Sequence, residues 1–134
     1  MLLRADGDDL DDINAADKKF QKELNSGTVA LVLLGVLDRA DEPMYGYQIA
    51  KRIEARKASS ADVPMMKQGA LYPVLRSLES SGLLDSRVEP SVSAPPRRYY
   101  TITTVGRETL ARWIAIWGRT RSFVDSTLKG TEDV

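Results

Sequence analysis

Gln68, Tyr72 and Arg76 recur every four residues in the stretch KQGALYPVLRSLESSGLL, residues 67 to 84. At helical spacing they form one polar row, continued by Glu79, and Leu71, Val74, Leu75 and Leu78 form an apolar row opposite it. An amide, a phenol and a guanidinium aligned in this way can hydrogen-bond base edges and phosphates. Lys67 adds positive charge at the leading end. Two more cations, Arg97 and Arg98, stand beside the proline-rich tip PSVSAPP, where they can meet a phosphate backbone. Enzyme chemistry finds little support. The chain has no histidine and no cysteine, which removes the commonest general base, the commonest metal ligands and thiolate chemistry. No D-x-D loop, H-E-x-x-H, glycine-rich phosphate cradle or G-x-S-x-G elbow occurs. No catalytic residue, metal or cofactor is therefore expected.

Such residues need elements to position them, and 134 residues suit one domain with a single core. The absence of cysteine agrees with a reducing cytoplasm, and the acidic start is unlike a signal peptide. The longest apolar run, VALVLLGVL at 29–37, is too short for a membrane span, so a cytoplasmic location without membrane contact is expected. Charge is unevenly spread. Residues 1–17 carry six Asp and one Arg, and the remainder carries 18 basic and 13 acidic side chains. Residues 1–17 read as an acidic, flexible leader, residues 18–103 as the main domain and residues 104–130 as a terminal helix.

Helical pattern begins near Lys18 and runs to Asp38, apolar almost all round in its second half. MYGYQIAKRIEARK, residues 44–57, reads as a second helix with Tyr45, Ile49 and Ile53 inward. ASSADVPMM, residues 58–66, is a loop by composition, and the helix carrying Tyr72 stops at Ser81-Gly82. The period then changes to two. LLDSRVE and RRYYTIT read as a two-stranded hairpin closed by PSVSAPP. A last helix opens after Thr103-Thr104, with Leu110, Trp113, Ile114, Trp117, Val124 and Leu128 along it and Arg121 breaking the stripe. Nothing follows it to pack on, so pairing with a second copy is the economical solution. The fold class is therefore mainly α with a two-stranded β-wing: a winged helix-turn-helix and a long C-terminal dimerisation helix. In that plan the third helix enters the major groove and the hairpin lies along the phosphates.

The segments MYGYQIAKRIE, GALYPVLRSLESSGLL and RRYYTITTVGRETL resemble the successive signatures of PadR-type transcriptional regulators over residues 28–118. The resemblance implies a homodimeric winged-helix repressor, of the compact branch with a single C-terminal helix, bound to an inverted-repeat operator in double-stranded DNA. Tyr47, Gly69 and Pro73 join Lys67, Gln68, Tyr72, Arg76, Arg97 and Arg98 as candidate DNA-contacting residues. Where the family commonly has His-Gly-Tyr, this chain has Tyr45-Gly46-Tyr47, so titration near neutral pH is lost. Pro73 removes a hydrogen bond to the carbonyl of Gly69. Either the first turn of the helix is bent or frayed, or the helix starts at Tyr72 and the proline sits in its first turn.

In the drug-sensing branch of that family, a tryptophan on the last helix lines a pore between subunits and stacks planar aromatic compounds. Trp117 matches that position by its spacing from RRYYTIT, and Trp113, Leu24, Thr28 and Leu31 could line the same space. A packed dimer core is the simpler account of both tryptophans. The resemblance thus implies a planar, hydrophobic effector. The alternative to DNA reading is a winged helix that binds another protein, with the acidic leader over its basic surface.

Overall fold

The computed structural model describes residues 7–57 and 68–130. The elements run α1 (Gly7–Arg39), β1 (Met44–Tyr45), α2 (Gly46–Lys57), α3 (Gln68–Ser80), β2 (Leu84–Glu89), β3 (Arg97–Ile102) and α4 (Thr104–Lys129). The expected loop at 58–66 and Lys67 lie outside the described residues.

Three sequence expectations are corrected. The first helix begins at Gly7 rather than near Lys18, so the acidic stretch is helical from Gly7 onward. The second helix starts at Gly46 and not at Met44, because Met44 and Tyr45 form a short strand. The hairpin therefore belongs to a three-stranded antiparallel sheet in the order β1-β3-β2. Tyr45, expected inward on a helix, pairs with Tyr99 on the sheet, and its N–H donates to Gln48 Oε1 at 3.1 Å, which caps α2.

The core gathers one face of every element. Leu33, Leu34 and Leu37 of α1, Ile49 and Ile53 of α2, and Leu71, Leu75 and Leu78 of α3 are buried against Met44, Leu84, Tyr100 and Ile102 of the sheet. Leu110 closes it from α4. Each such leucine contributes about 1.5–3 kcal/mol by burial.

Two joints fix α3 and the hairpin to the rest. After α3, the Gly82 N–H donates to the Glu79 carbonyl at 2.9 Å and the Leu83 N–H to the Leu78 carbonyl at 2.9 Å. This is the Schellman stop that Ser81-Gly82 predicted, and Gly82 takes the left-handed φ of +83° that it needs. The Thr103 hydroxyl then donates to the Gly82 carbonyl at 2.8 Å and accepts from the Gly106 N–H at 2.9 Å, capping α4. A side chain at Gly106 would collide with the Leu83 carbonyl, so only glycine allows α4 to start here.

Beyond Leu110 only Trp113 is even half-buried on α4. The first half of α1 is as bare. Leu10, Ile13, Phe20 and Leu24 are exposed there, as are Ile114, Ile116, Trp117, Phe123, Val124 and Leu128 on α4. Among the described residues, no helix is long and apolar enough to cross a membrane.

Candidate nucleic-acid interface

The helix α3 buries Leu71, Leu75 and Leu78 completely or nearly so, as its apolar row requires. Its polar row is more constrained than a plain solvent face. Gly69, Pro73 and Arg76 are exposed, but Tyr72 is half-buried and packs against the core. Its ring lies on Gly46: a Cβ there would stand 2.5 Å from Tyr72 Cε1 and 2.7 Å from its hydroxyl. The outward aromatic expected from periodicity is thus seated at the start of α2, and Gly46 provides the seat. Periodicity along α3 carries no signal for this contact, which joins two helices.

Pro73 sits inside α3, since the helix already runs from Gln68. This overturns the alternative in which the helix begins at Tyr72. The Gly69 carbonyl, four residues back, loses its usual donor and lies where the backbone is exposed. Gln68 opens the helix, and its side chain lies outside the described ones.

From Gly46 the surface continues without a break. Tyr47 is exposed and stacks with Tyr45, ring centroids 6.4 Å apart, and Lys51 Nζ lies 5.6 Å from the Tyr47 ring. Tyr45 meets Tyr99 edge-on at 5.3 Å, and the Arg97 guanidinium lies 4.5 Å above the Tyr45 ring. The register explains the cluster, because Tyr45, Tyr99 and Arg87 are directly paired across the three strands and share its outer face. Both cations lie within the roughly 6 Å of a ring centroid at which an aromatic face attracts them. Sequence reasoning misses Tyr45 as a member of this cluster, because a two-residue strand leaves no alternation to detect.

Arg97 and Arg98 point to opposite faces of β3. Arg98 Nη1 donates to Ser86 Oγ at 2.9 Å, and that hydroxyl donates to Glu79 Oε2 at 2.6 Å. This relay ties the hairpin to α3. Burial pushes the Tyr100 phenol above its ordinary value, and the Glu79 carboxylate pushes the same way, opposed by Arg98 and Arg76.

At the far end of the molecule, Leu24, Thr28 and Leu31 of α1 meet Trp113 and Trp117 of α4. Together with Glu23, Gly27, Ala30, Ile116 and Thr120 they line an open groove of about 480 Å³. The five residues grouped in the sequence as an effector site are thus brought together, on apolar walls with one carboxylate at the rim. Among the described residues, no cluster of acidic side chains is arranged to hold a metal ion.

Residues 33–112 match the model of the transcriptional regulator PadR-like family. The chain is similar to a PadR family transcriptional regulator from Eggerthella lenta, with 32% identity, 92% of this chain and 97% of that one covered, and a TM-score of 0.70. An uncharacterised protein of Lysinibacillus sphaericus is 26% identical over 92 residues, 69% of this chain and 82% of the other. Bacillus subtilis PadR, solved in complex with operator DNA, shares the fold at 22% identity and a TM-score of 0.56, over 65% of this chain and 47% of that one.

Proposed function

Because the chain belongs to the PadR-like family of transcriptional regulators, we propose that it is a homodimeric, sequence-specific DNA-binding repressor. One observation supports this reading most: an unbroken line of contacts runs from Tyr72 on α3 through Gly46, Tyr47 and Tyr45 to Arg97 on β3. The leading half of α3 enters the major groove, where Gln68 and Arg76 address base edges and phosphates. Lys67 and Gly69 bring charge and bare backbone to the same end, and Pro73 leaves the Gly69 carbonyl without its helical donor. The hairpin β2–β3 is the wing, and Arg97 lies along the phosphates.

Each copy reads one half of an inverted repeat, with half-sites about one duplex turn, or about 34 Å, or a multiple apart. The groove of Leu24, Thr28, Leu31, Trp113 and Trp117 takes a planar, apolar effector by stacking and burial. Occupancy there changes the separation of the two reading heads and releases the operator.

A gel shift on the promoter DNA that precedes its own gene tests the reading. Arg97→Ala lowers affinity for every sequence alike and reduces the salt slope by about one counterion. Gln68→Ala relaxes base choice instead, and an equal loss on random DNA would contradict its role. Binding of neither promoter nor random DNA leaves the winged helix as a protein-interaction module. Quenching of tryptophan emission by planar dyes checks the groove.

A further inference from the structure

Glu79 and Arg98 have no task in the reading above, and one hydroxyl holds them both. Arg98 Nη1 donates to Ser86 Oγ at 2.9 Å, and Ser86 Oγ donates to Glu79 Oε2 at 2.6 Å. The register makes this contact a junction of three elements. Ser86 of β2 lies directly opposite Tyr100 of β3. Arg98 stands two residues before Tyr100, so it reaches Ser86 diagonally on one face of the hairpin. Tyr100 is buried, so that face is the one turned to the core and to α3. Arg97, on the opposite face, rests on Tyr45 instead.

The outward face of α3 is made by other residues. Gly69, Pro73, Arg76 and Ser80 follow one another at intervals of four, three and four, and all are exposed. Leu71, Leu75 and Leu78 are buried on the opposite side. Glu79 lies on the flank between the two rows, half-buried and turned to the hairpin. A carboxylate repels phosphates, and a guanidinium close to it is drawn to the carboxylate. Bridged through Ser86, the two charges offset each other. The junction also lies at the root of the hairpin. From Ser86 to Pro90, where the proline-rich tip begins, is about 13 Å of strand. A small rotation at the junction therefore moves the tip much further.

We infer that Glu79, Ser86 and Arg98 are positioning residues that set the angle of the hairpin on α3, and that Arg98 acts through this junction rather than on a phosphate. The helix that reads bases and the hairpin that touches the backbone then meet the duplex at one fixed spacing. Operator DNA must fit both elements at once and depends on that spacing. Random DNA, held by charge alone, does not. This inference rests on the DNA-binding reading and assigns the residues that hold its two contact elements together.

The test is a salt series of gel shifts with the full-length chain, on the promoter DNA that precedes its own gene and on random DNA, each variant being checked for folding by its melt. Glu79→Ala lowers promoter affinity about tenfold, as loss of a hydrogen bond to a charged group does. It leaves random DNA bound as before or more tightly, although loss of a negative charge alone would strengthen binding to both. Arg98→Ala causes the same loss on the promoter and keeps the wild-type salt slope, whereas Arg97→Ala reduces the slope by about one. Glu79→Ala and Arg98→Ala combined lose no more than either alone. Arg98→Gln, which keeps a donor for Ser86 without the charge, restores most of the promoter affinity. A slope reduced by Arg98→Ala, additive losses in the double variant, or a Glu79→Ala chain that binds the promoter as tightly as the wild type overturns the assignment. A wild-type chain that binds neither DNA sinks the DNA-binding reading itself, a separate outcome.

Discussion

The head of the molecule and its two arms obey different rules. In the head, formed by the second half of α1 through the start of α4, Leu33, Leu34, Ile49, Leu71, Leu75 and Leu84 are fully buried. Its turns are closed by specific hydrogen bonds at Gly82, Leu83 and Thr103. In the arms, the first half of α1 and the distal half of α4, comparable leucines, valines and aromatics face outward. The head buries its apolar side chains within one chain, and the arms leave theirs exposed. The difference separates a packed core from apolar helix faces that nothing in one chain covers.

The sharpest way to break this comparison is truncation of one buried and one exposed side chain. Leu75→Ala should cost about 3 kcal/mol of unfolding free energy in a urea melt, as loss of a buried leucine does. Val124→Ala should change the melt of dilute protein by no more than about 0.5 kcal/mol and, on the dimeric reading proposed above, should instead loosen the association of two chains. Equal losses at the two sites would erase the distinction. Threonines give a smaller test. Thr103→Ala removes a cap and a donor to Gly82, and about 1–2 kcal/mol with them. Thr127, whose hydroxyl only returns to the Phe123 carbonyl of its own helix at 2.9 Å, should be replaceable by alanine at almost no cost.

The smallest effect concerns pH. Every tyrosine of the chain lies in the head, and Tyr100 is held above its ordinary value chiefly by burial. The folded chain then keeps this proton at pH values where the unfolded chain has lost it. Stability is unaffected well below about pH 10 and falls as pH rises above it. Melts between pH 9 and 11 should show that fall, and Tyr100→Phe should reduce it.

Much of the head could be read from the chain because its signals are local. Ser81-Gly82 announced the stop of α3, Thr103-Thr104 announced a cap for α4 that Thr103 supplies, and alternation announced both long strands. The joint placement of Leu24, Thr28, Leu31, Trp113 and Trp117 followed from spacing and family resemblance together. What escaped was tertiary or too short. Met44-Tyr45 shows no period, so β1 and the aromatic cluster around Tyr45 were missed. The seating of Tyr72 on Gly46 and the relay from Arg98 through Ser86 to Glu79 each join elements far apart in sequence. The helical start at Gly7 was hidden by an aspartate-rich composition, which looks the same whether a segment is ordered or not.

The Thr103 hydroxyl has one mechanical consequence. A single oxygen atom holds the stop of α3 and the first turn of α4, and the close approach at Gly106 leaves that joint no slack. Head and arm of one chain must swing as one lever. On the dimeric reading proposed above, a change in the spacing of two heads would then have its fulcrum between chains, and a shift of a few degrees there would be magnified along the arm.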